Sequence, residues 1–410
     1  MGNEQSQGIK YGARLDNDVQ LTWSQLESKN QFAPRDGHVS CDVNGSLYVF
    51  GGVERTADGD NLESQSLLKL DIESSTWSQI PSKGDVPAAR SAATMTCVNN
   101  NLYIFGGLNQ TSGWLQDIYV FNTETGIWTR PDTKGAQPSP RDKLKSVAIG
   151  TKIYFFGGFG PKTGEDDIEE VDDFDEDDED FEDEQDQGAE FGWFNDIFVF
   201  DTESNTWSNP MQMNLAVPTP RAAHGMCAIG KNIVIFGGRD TEARRNDLHI
   251  FNTETMKWET ELQVKGRQPE PRSFHTCTAV NHRMVVMGGR SIDNQHFADF
   301  HILDTETKEW LQPSMTGPLP SGRGLHSATR VGDYFVMFGG SANFNQETNE
   351  CRQYFNDVYY VKTEDILKGK STPIESNQEN VDSNVPIQIA DGGSKTKPTA
   401  TESMETSTMS

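Results

Sequence analysis

The chain has 410 residues, a formal net charge of -27 and five cysteines. Such a negative surface excludes nucleic acid as a partner, because phosphates would be repelled. The cysteines (41, 97, 227, 277 and 351) are odd in number and widely spaced, which argues against a disulfide framework or paired-Cys metal site, and no apolar run reaches the ~20 residues a membrane span needs.

The first six residues, MGNEQS, match the N-myristoylation pattern, with Gly2 as acceptor and Ser6 at the favoured position. One acyl chain would give only weak, reversible membrane contact, and Lys10 and Arg14 are too few for a strong second signal. No secretory apolar region follows. Residues 1–19 read as a flexible arm, and the expected location is cytoplasm or nucleus. Next comes LTWSQL, a lone apolar strand around Trp23.

From there an apolar run ending in Gly-Gly recurs six times: LYVFGG (47–52), LYIFGG (102–107), IYFFGG (153–158), IVIFGG (233–238), MVVMGG (284–289) and FVMFGG (335–340). The run shows no alternation, so it is a strand buried on both faces. The glycines end it where the chain must leave without a side chain. After most pairs an Asp opens a second strand, then a polar turn and a Trp, as in QDIYVFNTETGIW and NDIFVFDTESNTW. One unit is therefore four short antiparallel strands in about 51 residues. A lone four-stranded sheet cannot cover both faces, whereas six set radially can.

The third spacing is 80 residues instead of about 51, and the excess holds DDFDEDDEDFED. Between 165 and 190 stand 18 acidic residues and no Lys or Arg. Residues 163–192 are too charged to pack and read as a disordered insertion in the third unit. Repeat-ending Trps are Trp23, Trp77, Trp128, Trp207, Trp258 and Trp310. The sixth Gly pair has no Trp after it, so the strand around Trp23 should complete the last unit. Residues 367–410 have no aromatic residue and read as a disordered tail.

These three marks, recurring together over residues 20–366, resemble the kelch family of β-propellers. The resemblance implies an all-β fold, a six-bladed propeller with its last blade closed by the N-terminal strand. It also implies a monomeric, non-enzymatic adaptor that binds protein partners through its loop face. Among standalone members the organisation looks most like the Rab effector with kelch motifs, which implies membrane trafficking or signalling; the acidic insertion and the MGNEQS start depart from it.

In an antiparallel meander, the loop between second and third strands emerges on the same face as the link to the next blade. Those links each end in Arg: Arg35, Arg90, Arg141, Arg221, Arg272 and Arg323. They are expected to ring the channel mouth as candidate partner contacts, with a scaffold role as the alternative. Trp114, Trp193 and Tyr354, each three residues before the blade Asp, supply aromatics on that face. The acidic loop has two open readings. It masks the Arg ring against an acidic partner, or it binds basic, histone-like proteins through Asp172, Phe174, Asp177 and Phe181. His38, His224, His275 and His326 follow four of the Arg by three residues and read as packing residues. Neither a metal nor a cofactor is expected. The Glu-x-x-x-Asp-x-x-x-His spacing of nitrile-specifier proteins, which carries a metal-dependent activity, is missing before every His.

Overall fold

A computed structural model describes residues 19–162, 190–213, 216–260 and 262–369. These form six antiparallel sheets, called blades here in chain order: five have four strands, and the fifth blade gains a short parallel strand as its outer edge. Blade 1 runs Val39–Val43, Ser46–Phe50, Leu67–Asp71 and Thr76–Ile80. The innermost strands of blades 2 to 6 are Thr94–Val98, Lys145–Ile149, Gly225–Ile229, Thr276–Val280 and Ser327–Val331. In blade 6 the fourth strand is Ser24–Gln25, which pairs with Tyr360 and Tyr359 of Val358–Lys362.

Six apolar clusters lie between neighbouring blades, each built round one of the six repeat Trps. In five of the six contacts the Trp of one blade packs on the aromatic residue that precedes the Gly pair of the blade before it; blade 5 has Met287 there, and Trp23 packs on Phe300 instead. Phe50 meets Trp128 at 5.4 Å between centroids, Phe105 meets Trp207 at 5.2 Å, and Phe338 meets Trp77 at 4.8 Å. This explains why the two marks recur together: each supplies half of an inter-blade contact.

A second set of contacts closes the ring around the axis. Two residues after each link Arg stands a residue with positive φ: Gly37, Ala92, Lys143, Ala223, Phe274 and Leu325. The amide of each donates to the carbonyl of the one before it, and Gly37 donates to Leu325 at 3.0 Å. Six hydrogen bonds of 2.8–3.1 Å thus run head to tail round the channel. A left-handed conformation costs about 1–2 kcal/mol at a residue with a Cβ, so these bonds hold positions that would otherwise relax.

The links also touch the outer strands. Lys265–Gly266 pairs in parallel with Glu309–Trp310. Gly266 has φ +81°, and a Cβ there would stand 2.2 Å from the Trp310 carbonyl oxygen; Gly84, Gly135 and Gly317 make the same approach to other repeat Trps. Gly266→Ala should cost about 2–3 kcal/mol, read as a lower urea midpoint. Gly230→Ala, with φ +60° and no atom within 4 Å of its Cβ, should cost about 1 kcal/mol from strain alone. Equal midpoints for the two variants would show that the close approach is not what matters at Gly266.

Three expected boundaries shift. Val19 is buried, so the chain enters the core one residue before the expected end of the arm. Phe191–Trp193 pairs with Phe159–Pro161, so the third unit's insertion stands on a two-stranded stalk, and residues 190–192 belong to structure. A short helix, Thr363–Leu367, follows the last strand and buries Ile366 against Val19, Leu21 and Trp23. Arg283 donates to the carbonyls of Ile366 and Lys368 at 2.7 and 3.0 Å and ties that end down. Residues 1–18, 163–189 and 370–410 lie outside the described residues, and with them Gly2, Asp172, Phe174, Asp177 and Phe181.

Candidate functional site

Each link between blades lies beside the second-to-third-strand loop of the blade it enters. Backbone bridges join Ser91 to Leu108, Asp142 to Phe159, Ala222 to Arg239, Ser273 to Arg290 and Gly324 to Ser341. Links and loops therefore share one face.

The six link Arg are not surface groups of that face. Arg35, Arg90, Arg141, Arg221, Arg272 and Arg323 are 0–2% exposed. Each donates from Nη1 to the carbonyl of the first Gly of its own blade, sixteen residues on, at 2.9–3.2 Å. Five of them also grip the blade Asp: Asp117, Asp196, Asp247, Asp299 and Asp357. Blade 1 has Ser66 in the Asp column, and Glu54 supplies the carboxylate to Arg35 at 2.8 Å. Buried and held by the Gly carbonyl and a carboxylate, these guanidinium groups present no donor at the surface; even the unpartnered Arg35 Nε is buried. The expected ring of contacting Arg is corrected to a wall that fixes each Gly pair against its third strand.

The channel histidines are equally buried. His38 pairs with the Ser327 hydroxyl at 3.0 Å, and His275 Nε2 donates to the Phe236 carbonyl at 3.0 Å. Burial holds all four below the ordinary imidazole value, with the nearest link Arg adding to the effect; His326 falls to about 3. Burial also raises the Cys227 thiol to about 12. Among the described residues no group of three or more His, Cys, Asp or Glu is placed to hold a metal.

The predicted aromatics do reach the loop face, partly exposed. Trp114 packs on Phe191 at 4.9 Å and Trp193 on Phe159 at 5.0 Å, so both belong to a cluster at the foot of the stalk. Phe191 is 46% exposed and tops it. Tyr354 stands with the Arg55 guanidinium 5.7 Å from its ring centre.

Between these loops the mouth opens into a basin of about 380 Å³. Its apolar lining includes Leu108, Phe274, Phe344 and Tyr354; its cations are Lys143 and Arg290. Arg290 lies against Phe344 at 4.0 Å and Phe274 at 4.9 Å, and its buried Nε has no hydrogen-bond partner. Burial, then the charges of Arg244 and Arg239, pull its guanidinium down to about 10. Arg244 is held by the Ser273 hydroxyl, the Asn294 carbonyl oxygen and the Ile292 carbonyl, none of them charged. Acidic residues lie elsewhere in the basin. Asp142 pairs with Lys143, and Asp36, which burial raises to about 6, accepts from Ser341 at 2.5 Å.

The wall Arg are thus all neutralised, whereas Arg239, Arg244 and Arg290 stand together without a carboxylate among the described residues. Sequence reasoning missed these three. They break the repeat: Arg239 and Arg290 follow the Gly pair directly in GGRDTEARR and GGRSID, with Arg244 later in the first of these, where the other four units have GGVERT, GGLNQT, GGFGPK and GGSANF.

The KLHDC2/KLHL20/DRC7 Kelch-repeats domain model matches residues 12–179 and 182–375. Human Kelch domain-containing protein 1 is 33% identical over 340 residues, which is 80% of each chain. Bovine Kelch domain-containing protein 2 is 32% identical over 324 residues, 76% of this chain and 77% of its own. An Arabidopsis thaliana protein, Acyl-CoA-binding domain-containing protein 4, is 26% identical over 73% of this chain but only 43% of its own length.

Proposed function

The chain belongs to the kelch-repeat family, and on that premise we propose that it is a non-enzymatic adaptor whose loop-face basin takes an acidic peptide segment of a protein partner. Kelch repeats generally mediate protein–protein interaction. The observation that carries the finer reading is Arg290 in the basin wall beside Phe274 and Phe344, with Arg244 and Arg239 near enough to act on its charge and no carboxylate paired to any of the three among the described residues. Guanidinium forks match carboxylate geometry, and Phe274, Phe344 and Tyr354 offer an apolar or aromatic side chain somewhere to pack. Setting this adaptor in membrane trafficking or signalling rests on organisation alone.

The test is an array of short acidic peptides, some with an aromatic residue, probed with the full chain. Peptides that bind should do so less well at high salt and lose at least tenfold in affinity with Arg290→Glu or Arg244→Glu, while circular dichroism stays unchanged. An array without binders, or binders indifferent to both reversals, would remove the reading.

A further inference from the structure

Below the hydrogen-bonded ring the channel opens into a second, separate chamber of about 130 Å³. That is far above the roughly 10–15 Å³ a single water needs. The first residues of the six innermost strands are Val39, Thr94, Lys145, Gly225, Thr276 and Ser327. Lys145 alone among them is charged. It lines both the chamber and the narrow passage above it, and no carboxylate lines either.

The Lys145 ammonium has neither hydrogen-bond acceptor nor ion pair among the described residues. Its charge bears on His38, His224, His275 and His326 alike, which places it near the axis among them. All four are held neutral by burial, so they supply no anion. His224 is fully buried and neither ring nitrogen has a partner. Lys145 is half-buried, burial pulls its pKa down, and a desolvated ammonium with no counter-charge is unfavourable unless it loses its proton or gains an anion.

The walls have donors to spare. Ser40 and Thr329 hydroxyls pair at 2.5 Å, and Ser146 pairs with both Thr94 at 2.7 Å and Thr96 at 2.5 Å. Two hydroxyls joined by one bond, or three joined by two, leave one O–H over in each group. We propose that this chamber is a binding site for a small inorganic anion, held by the Lys145 ammonium with hydroxyl donors from Ser40 and from Ser146 or Thr94, which line it. This site is independent of the basin above it and does not need a protein partner.

The test is thermal unfolding of the full chain at constant ionic strength, exchanging gluconate, too large for the chamber, for bromide or inorganic phosphate. The melting temperature should rise by about 2 °C per tenfold increase in the anion above its Kd. Lys145→Met should lose that response and melt higher than the unsubstituted chain in gluconate. Because the variant could fail to fold, crystals of the unsubstituted chain soaked in bromide give a second reading: an anomalous peak in contact with Lys145 Nζ. An equal bromide response in the folded variant, or no peak at saturating bromide, overturns the proposal. Stabilisation by acetate but by neither inorganic anion also overturns it, in favour of carboxylate recognition.

Discussion

Replacing Arg272 by Ala should lower stability by about 3–5 kcal/mol, the cost of removing one partner from a buried ion pair. Arg272 donates to both Asp299 oxygens at 2.7 and 2.8 Å, to the Gly288 carbonyl at 3.0 Å and to the Glu270 carbonyl at 3.0 Å. It also lies 4.1 Å from the Phe297 ring centre. Without it, Asp299 stays partly enclosed as a carboxylate with only His301 to answer it, at 2.9 Å. Much of the loss comes from that stranded charge, so Arg272→Ala combined with Asp299→Ala should cost less than the two singles summed. Arg272→Lys keeps the charge but not the fork, and should fall between. The measurement is urea unfolding followed by tryptophan fluorescence, with Arg267→Ala as reference. Arg267 is a surface residue 3.8 Å from Glu270, and exposed pairs contribute about 0–1 kcal/mol. Equal midpoints for Arg272→Ala and Arg267→Ala would sink the wall role. The same reasoning means that reversing a link Arg would damage the fold before it reported on a partner.

Mild acid should unfold the chain. Burial, then Arg221, Arg272 or Arg323 and Lys145, keep His224, His275 and His326 neutral, and His38 is held likewise by burial and Arg35. In the unfolded chain each takes a proton near pH 6.5. Above that pH both states are neutral and these groups contribute nothing to pH dependence. Below it the unfolded chain binds more protons, so stability falls as pH drops. His296, lowered to about 4 by burial and then by Arg290 and Arg244, adds a fifth group. Asp36, raised to about 6, opposes them, because its folded form gains a proton first. Asp42, Glu63 and Asp142, also raised by burial, oppose them in the same sense, so the net is at most four groups, on the order of 5 kcal/mol per pH unit between about pH 6 and 5, against a whole stability of about 5–15 kcal/mol. Asp247 and Asp299 act later. Burial raises them, but hydrogen bonds from Arg221 or Arg272 and from His249 or His301 outweigh it and hold both low. Their contribution is lost only as pH falls below about 4. His224→Phe should remove about a quarter of the slope, since His224 meets Phe156 edge-on at 5.3 Å and gives up no hydrogen bond. A urea midpoint flat from pH 6.5 to 5 would contradict this account.

The strands were legible because each mark repeats: Phe105 and Trp207 come from different units, yet each is read from its own column. What the columns conceal is direction. Arg and Asp each recur, but nothing in the spacing of Arg90 and Asp117 says that they meet inside the wall rather than flank a mouth. Side-chain direction depends on the positive-φ ring two residues later, and a conformation such as that of Phe274 leaves no compositional trace. The basin was missed for the opposite reason. Arg290 and Arg244 are departures from the repeat, and a search for recurrence discards departures. Lys145 shares that fate, standing where the other units have small or apolar residues.

The sixth blade has a consequence in time. Thr22 meets Thr316 across 294 positions, and Ser24 pairs with Tyr360. At roughly 5–20 residues per second of synthesis, the first strand made waits tens of seconds for the strands it completes. Blades 1 to 5 hold their strands within local stretches of chain and can assemble as they emerge; the seam cannot. A nascent chain stalled short of Ser314 carries Leu21 and Trp23 with neither the Ser314–Thr316 strand nor the last blade to receive them, an apolar segment that a holding chaperone would find first.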